Sequence, residues 1–318
     1  MKEIRKIIEQ QEIRQFFRKP GSLKDKKDKR DYKALEILAG VTVVRPSFEQ
    51  GYSAIKKYWP DMPYKNQKAT YSCVGQAWSY YKQILQAKDT GEKTELSAFS
   101  IYNPIAFPNK GSYVRDGGLR TVDYGVNKES TLPSPDNEEA MTAMFSFIDY
   151  VSEASYFKNR VVASVDTQDF EKIADMMFLN NGIVSGWGNH AVYFGDYGIL
   201  NGKRFIKSPN SYGPGQDLYY FENMGQGGLY SIWTAIDILN MPIKGKLRLI
   251  RAKGEKVVWF LLNNRRYWVF NPTNMADGVA EGIWDGFQAV EELDPKEVYS
   301  YPKTTTSLSE LWKLYISK

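Results

Sequence analysis

Apolar residues near the start of the chain, Ile4, Ile7, Ile8, Ile13, Phe16 and Phe17, recur at helical spacing, and Pro20-Gly21 closes the run. The spacing predicts an amphipathic helix over residues 2–18. Residues 21–33 alternate Lys with Asp and predict a solvated linker. Further on, Thr70 and Ser72, both able to cap a helix, precede Cys73–Ala87 (CVGQAWSYYKQILQA), which again has helical periodicity. Loop signals are dense from Asn103 to Asp136, with Gly117-Gly118 inside. A helix is predicted over Asp169–Leu179, ending at Asn180-Asn181-Gly182, and strand-like runs follow at Ile183–Ser185, Ala191–Phe194 and Arg204–Lys207 between Gly-rich turns. Beyond Met241-Pro242 the texture changes. Leu247–Ile250, Val257–Leu262 and Tyr267–Phe270 read as short strands, turned by Gly254 and Asn263-Asn264. The pattern divides the chain into a basic tail (1–41), a compact domain (42–241) and a small β-rich module (242–318). No internal repeat or low-complexity tract stands out.

Composition narrows this picture. Of 318 residues, 42% are hydrophobic and 14% aromatic, the values of a chain that buries a sizeable core. No apolar run approaches the ~20 residues that span a membrane. The first residues are charged without an apolar core segment, so no secretory signal is expected. A single cysteine forbids an intramolecular disulfide and fits a reducing compartment, pointing to a cytoplasmic or phage-particle location. One cysteine with one histidine also leaves no zinc site of the usual Cys/His kind, so no metal or cofactor is expected. Residues 1–33 hold twelve Lys/Arg and six Asp/Glu, a charge of +6, and the rest of the chain is therefore close to neutral (+5 − 6 = −1). The tail has no interleaved aromatics over Lys24–Arg30, which makes nucleic acid an unlikely partner.

The lone thiol and the lone imidazole each sit in an informative segment. Cys73 opens the helix predicted after Ser72. His190 follows the turn Gly188-Asn189, and Asn210 follows it by twenty residues in Ser208-Pro209-Asn210-Ser211-Tyr212-Gly213. A thiol at a helix N-terminus gains from the unpaired N–H groups there, and a neighbouring imidazolium lowers its pKa further. His190 would take the thiol proton and later protonate a leaving amine. Asn210 would hold the imidazole in one tautomer. Gln67, six residues before the thiol, could present its amide N–H₂ to a developing oxyanion together with the Cys73 backbone N–H. Taken singly, a buried cysteine is more often a small core residue. The joint pattern favours catalysis.

The segment from 42 to 240 resembles the papain-like (C1-type) cysteine peptidases. Gln67 to Ala77 matches the family's Q-x-x-x-x-[SG]-C-x-x-x-A. Leu96-Ser97-Ala98 is similar to its Leu-Ser turn, and Asp116-Gly117-Gly118 to the double glycine whose backbone pairs with substrate. Tyr124 to Pro133 resembles a GV-x-x-E-S-x-x-P stretch, and Gly195 to Gly213 resembles G-Y-G followed by I-x-K-N-S-W-G. The resemblance implies an α+β fold of two lobes, one helical with Cys73 and one β-barrel-like with His190 and Asn210, with the β-rich module appended. It implies peptide hydrolysis through a thioester by Cys73, His190, Asn210 and Gln67, with Gly117, Gly118, Asn189 and Tyr212 on the substrate side. Val74 and Tyr212 stand where the family usually has Trp; Tyr212 can still shield the His–Asn hydrogen bond. The family's disulfides and propeptide signature are missing, which suggests a bacterial or phage relative.

The partner expected is a peptide or protein substrate. Residues 1–41 read as a docking tail that leaves the cleft open, in preference to an inhibitory segment, and the C-terminal module as a second docking element. That module loosely resembles β-rich units of bacterial surface proteins; the plainer alternative is a structural appendage with Trp259, Trp268 and Trp284 in its core. Two other functions share the same residues: a peptidase-derived structural or binding component of a phage particle or surface assembly, and a thiol amidase acting on cell-wall peptides.

Overall fold

A computed structural model describes residues 21–28, 31–38, 41, 43–223, 228–236, 248–255, 257–262, 265–268 and 290–300. The helix expected over 2–18 lies outside them. The chain forms two compact units, Met1–Asp237 and Ile238–Lys318. No described helix is long and apolar enough to cross a membrane.

The first unit is built on one helix, Cys73–Thr90, which ends at Gly91 in the left-handed region (φ 75°). Glycine ends a helix this way because it pays no Cβ penalty there. Fourteen of its residues are buried, on every side, so it is a central helix rather than a surface amphipath. Short helices at Ala98–Tyr102 and Val114–Asp123 pack on it. The second of these falls inside the stretch expected to be loop, because two glycines and no strong apolar stripe hid it from the sequence.

Ten strands of this unit are β1 (Ser22–Leu23), β2 (Tyr52–Ser53), β3 (Ser112–Tyr113), β4 (Val161–Ser164), β5 (Ile183–Trp187), β6 (His190–Phe194), β7 (Asp196–Leu200), β8 (Lys203–Ser208), β9 (Leu218–Phe221) and β10 (Leu229–Ile236). They form two four-stranded sheets, β4-β10-β5-β6 and β2-β7-β8-β9, and a two-stranded ribbon β1-β3. The helix Phe170–Asn180, capped by Asp169 and stopped by Asn181 at φ 61°, leads into β5, as its sequence predicted.

An aromatic ladder joins the central helix to the sheet. Trp78 stacks on Tyr81 (5.8 Å between ring centroids) and Tyr81 on Tyr193 of β6 (5.3 Å). Each buried ring contributes ~1.5–3 kcal/mol of burial energy, with stacked pairs adding about 0.5–1.5 kcal/mol. The Tyr81 hydroxyl donates to the Asn180 carbonyl (2.7 Å), so the ladder leaves no polar end buried without a partner. This fixes where the first turn of the helix meets the first residue of β6.

In the second unit, β11 (Arg248–Ala252), β12 (Val258–Leu262), β13 (Arg265–Trp268) and β14 (Val290–Leu293) form one sheet in the order β13-β12-β11-β14, as the short apolar runs predicted for the first three. Ile250, Ala252, Trp259 and Val298 make its small core. Trp259 is therefore a core residue, while Trp284 and the side chain of Trp268 lie outside what is described.

Candidate active site

Cys73 is the first residue of its helix and is fully buried. Ser72 occupies the N-cap position without a side-chain cap bond; its hydroxyl instead pairs with Thr70 Oγ1 (2.7 Å) and accepts from Gln76 Nε2 (3.3 Å). The first N–H groups of the helix are thus left to face the thiol.

His190 opens β6 after a two-residue hairpin loop, with Trp187 and His190 paired across it and Gly188 at φ 61°. A positive φ at the first central position of such a loop suits glycine. Asn210 leaves β8 in the left-handed region (φ 42°), a conformation that asparagine tolerates better than most residues. That twist turns its side chain back. His190 Nε2 and Asn210 Oδ1 lie 2.8 Å apart, and the same oxygen accepts the Ser211 N–H at 2.7 Å. Because the oxygen only accepts, Nε2 carries the proton, and Nδ1 is the accepting nitrogen of the neutral ring. Tyr212 stacks on the imidazole (4.7 Å between centroids, 25° between planes) and is itself buried, which screens the His–Asn bond from water.

Gln67 joins the same network. Its N–H donates to the Ser211 carbonyl (2.8 Å), its Oε1 accepts from Ser211 Oγ (2.8 Å), and its Nε2 donates to the Thr70 carbonyl (3.0 Å). Thr70 Oγ1 bonds the Gln67 carbonyl at 2.6 Å and passes the connection to Ser72, next to the thiol. Backbone groups of Ala191, the residue after His190, and of Val74 act on the Cys73 sulfur. Of the four residues the sequence singles out, His190, Asn210 and Gln67 are joined by hydrogen bonds through Ser211.

No protein-family model and no curated protein sequence matches the chain. Solved structures do. Xylellain, a cysteine protease from Xylella fastidiosa, superposes with a TM-score of 0.54 at 17% identity, over 70% of this chain and 97% of that one. A digestive procathepsin L2 proteinase from the Tenebrio molitor larval midgut gives 0.55 at 15% identity, over 69% and 78%. The ragweed pollen allergen Amb a 11, a cysteine protease in its proform, gives 0.50 at 17%, over 72% and 74%. This is the papain-like protease fold.

Within this papain-like fold the tail takes an unexpected path. Residues 21–33 were expected to be a solvated linker, and the tail to leave the cleft open. The described part instead lies over the thiol. The Gly21 backbone acts on the Cys73 sulfur, the Gly21 carbonyl accepts the Ser112 N–H (2.8 Å), and the Ser22 N–H donates to the Asn189 carbonyl (3.0 Å). Ser22–Leu23 then pairs in parallel with Ser112–Tyr113. Further along, the Tyr32 carbonyl accepts the Ser164 N–H (2.8 Å) at the edge of β4, and Lys33 Nζ reaches Ser164 Oγ and Asp166. Charge alternation suggests a solvated segment, but the backbone of this strap and its Asp25, Asp28 and Asp31 carboxylates make contacts while several of its lysines remain exposed.

The strap changes the thiol. Burial pushes Cys73 up to about 11, against the pull of backbone groups of Ala191, Gly21, Val74 and Cys73 itself. The sequence predicted a lowered value from the helix N-terminus; with the cleft covered, desolvation outweighs that contribution.

The substrate-side residues divide. Asn189 does offer its carbonyl to a strand in the cleft. Tyr212 serves the imidazole instead. Gly117 and Gly118 do not line the cleft with extended backbone: both lie inside the Val114–Asp123 helix, where an added Cβ would come within 2.6 Å of the Trp78 ring. Their role is close helix packing. The edge that pairs with a strand in the cleft is Gly111–Tyr113, and Gly111 (φ 92°) has no room for a side chain against Gly21. A glycine beside small residues in a loop marks such close backbone approach, and Gly111-Ser112 was the better signal.

Proposed function

We propose that this chain is a cysteine peptidase acting through Cys73, His190, Asn210 and Gln67, held here in a covered state by its own residues 21–33. The observation that carries the reading is the His190–Asn210 hydrogen bond beside a thiol that begins a central helix. With Nε2 committed to Asn210, Nδ1 takes the thiol proton as sulfur attacks the substrate carbonyl. The carbonyl π electrons move onto oxygen, and the Cys73 N–H and a Gln67 amide hydrogen stabilise the resulting oxyanion. The C–N bond then breaks, the imidazolium gives its proton to the leaving amine, and a thioester remains. Water, deprotonated by the same imidazole, cleaves the thioester and regenerates the thiol. Asn210 keeps the ring aligned through both halves, and Tyr212 keeps water from the bond that aligns it.

The strap supports a latent form. It occupies the position over the sulfur and satisfies the donors and acceptors at Asn189 and Ser112 that an extended substrate would use. The test is intact-mass analysis after exposure to an epoxide inhibitor of papain-like enzymes, with Cys73→Ala as control. One adduct on the wild type alone, formed faster when the strap is displaced, is the expected result. The absence of any adduct from pH 5 to 8, strap displaced or not, would refute the peptidase reading.

A further inference from the structure

Beyond the thiol, the cleft holds a second set of groups that the peptidase chemistry does not use. On β10 the register against β5 shifts between Tyr230 and Trp233, and Ser231 sits in the left-handed region (φ 50°) although it is not glycine. Bulges and strained residues of this kind recur beside functional sites, where they re-aim side chains. Here the bulge serves the strap. Ser231 Oγ accepts the Asp25 N–H (2.8 Å), and the indole of Trp233 donates from Nε1 to the Asp25 carboxylate (2.7 Å). The Arg115 backbone N–H donates to both carboxylate oxygens at 3.2 Å. The Arg115 guanidinium is paired with other carboxylates, Nε on Asp31 (2.6 Å) and Nη2 on Asp28 (3.3 Å) of the strap, while Asp116 lies at its remaining end (3.7 Å).

We propose that Arg115 and Trp233 form a subsite of the cleft that reads an acidic side chain of the substrate, and that Asp25 of the strap occupies it in this structure. The inference rests on the peptidase reading for its purpose, though not for its geometry. A buried indole N–H and a backbone N–H aimed at one point need an acceptor there, since a donor stripped of its partner loses more than an average hydrogen bond gives. A carboxylate satisfies both at once and gains the charge-assisted form of each bond. Ser231 Oγ sits one bond-length of chain away, where it receives the backbone N–H of the same residue and so fixes its register. The strap's Gly21 lies at the sulfur and Asp25 four residues along the chain, past the β1–β3 pairing. The subsite is therefore reached by a substrate residue roughly three or four positions from the scissile bond on the β3 side, given ~3.3 Å per extended residue. The lysines near this place, Lys24, Lys26 and Lys27, leave with the strap; Arg115 stays.

The experiment uses the full chain carrying Cys73→Ala, to prevent turnover, with Gly21→Val and Asp25→Ala, to expel the strap and vacate the subsite. Calorimetry then measures binding of a series of six-residue peptides in which one Asp, or its neutral isostere Asn, walks along the sequence. The expected result is one position where Asp binds about tenfold or more tighter than Asn, the size of a charge-assisted hydrogen bond. Trp233→Phe should erase that ratio, while Ser231→Gly should weaken Asp and Asn peptides alike. Equal binding of Asp and Asn at every position, no measurable binding of any acidic peptide, or a ratio that survives Trp233→Phe would each overturn the subsite. Because the thiol is absent, an active peptidase without the ratio sinks only this inference, and a ratio on a chain whose wild type never labels sinks only the peptidase reading.

Discussion

Two regions meet at Cys73 and are made of different material. Below it, the corner of His190, Asn210, Gln67 and Ser211 is held side chain to side chain, in burial, by neutral hydrogen bonds of 2.7–2.8 Å. Above it, the strap is held through backbone groups and by carboxylates around Arg115, of which Asp28 is partly exposed and Asp31 largely buried. The first kind of contact tolerates no movement, because each buried polar atom is committed to one partner. The second is displaceable, because an extended peptide offers the same N–H and C=O groups. A rigid corner under a replaceable cover is what a regulated hydrolase needs.

The deepest break in this contrast is in the corner. Cys73→Ala and His190→Ala should each reduce turnover to background while the fold persists, and the double variant should be no worse than either single one, because the two act as a unit. Single and double variants assayed together decide it; additive losses would mean that the two residues do not cooperate. Next in size is Gln67→Ala, expected to lower kcat by roughly 10²–10³ with little change in KM, the loss of one oxyanion donor. Steady-state kinetics on one peptide check this, and an unchanged kcat would remove Gln67 from the site.

The corner was legible in the sequence and the cover was not, for a physical reason. The hydrogen bonds of His190, Asn210 and Gln67 run through side chains, and a side chain is named by its letter. The strap and its partner edge act through backbone N–H and C=O groups, which every residue shares. Gly117-Gly118 looked like the substrate edge because two glycines advertise freedom of the backbone, yet they serve to let a helix approach Trp78. Gly111, beside Ser112, carries a weaker signal of the same kind, and Gly21, which meets it above the thiol, is read from sequence only as the end of the first helix. Ser231 and its bulge are likewise invisible, since nothing in Leu-Tyr-Ser-Ile-Trp announces a register shift. The Cys73–Thr90 helix and the strands β5, β6 and β8, by contrast, follow from periodicity and turn residues alone, while β7 is not read as a strand.

The cover should break most readily at Gly21. A Cβ placed there would sit 2.0 Å from the Tyr71 carbonyl oxygen, which belongs to backbone and cannot step aside. Overpacking of this kind opposes the closed state by about 1–3 kcal/mol, so Gly21→Val should speed alkylation of Cys73 about tenfold to a hundredfold. Intact-mass time courses on full-length wild type and variant measure it. An unchanged rate would mean that the strap does not control access.

The smallest effect expected is the response of the cover to alkaline pH. In the closed state burial holds the Cys73 thiol at about 11, and lifting the strap lowers that value by returning the sulfur to solvent. The group is neutral when protonated and its value is raised on closing, so closing is favoured while the thiol keeps its proton in both states. That preference is lost as pH rises from about 9 towards 11, where only the open state ionises. Linkage therefore makes the opening equilibrium larger at alkaline pH than at pH 7. Asp25 is also raised by burial, but its contribution lies in the acidic range and is constant over this one. The indole N–H signal of Trp233, which donates to Asp25 only when the strap is closed, reports the population by NMR. The signal should fade over this range in the wild type and persist in Cys73→Ala, where lysine titration remains and the thiol does not. Equal fading in both would place the alkaline response in the strap's own charges rather than in the sulfur it covers.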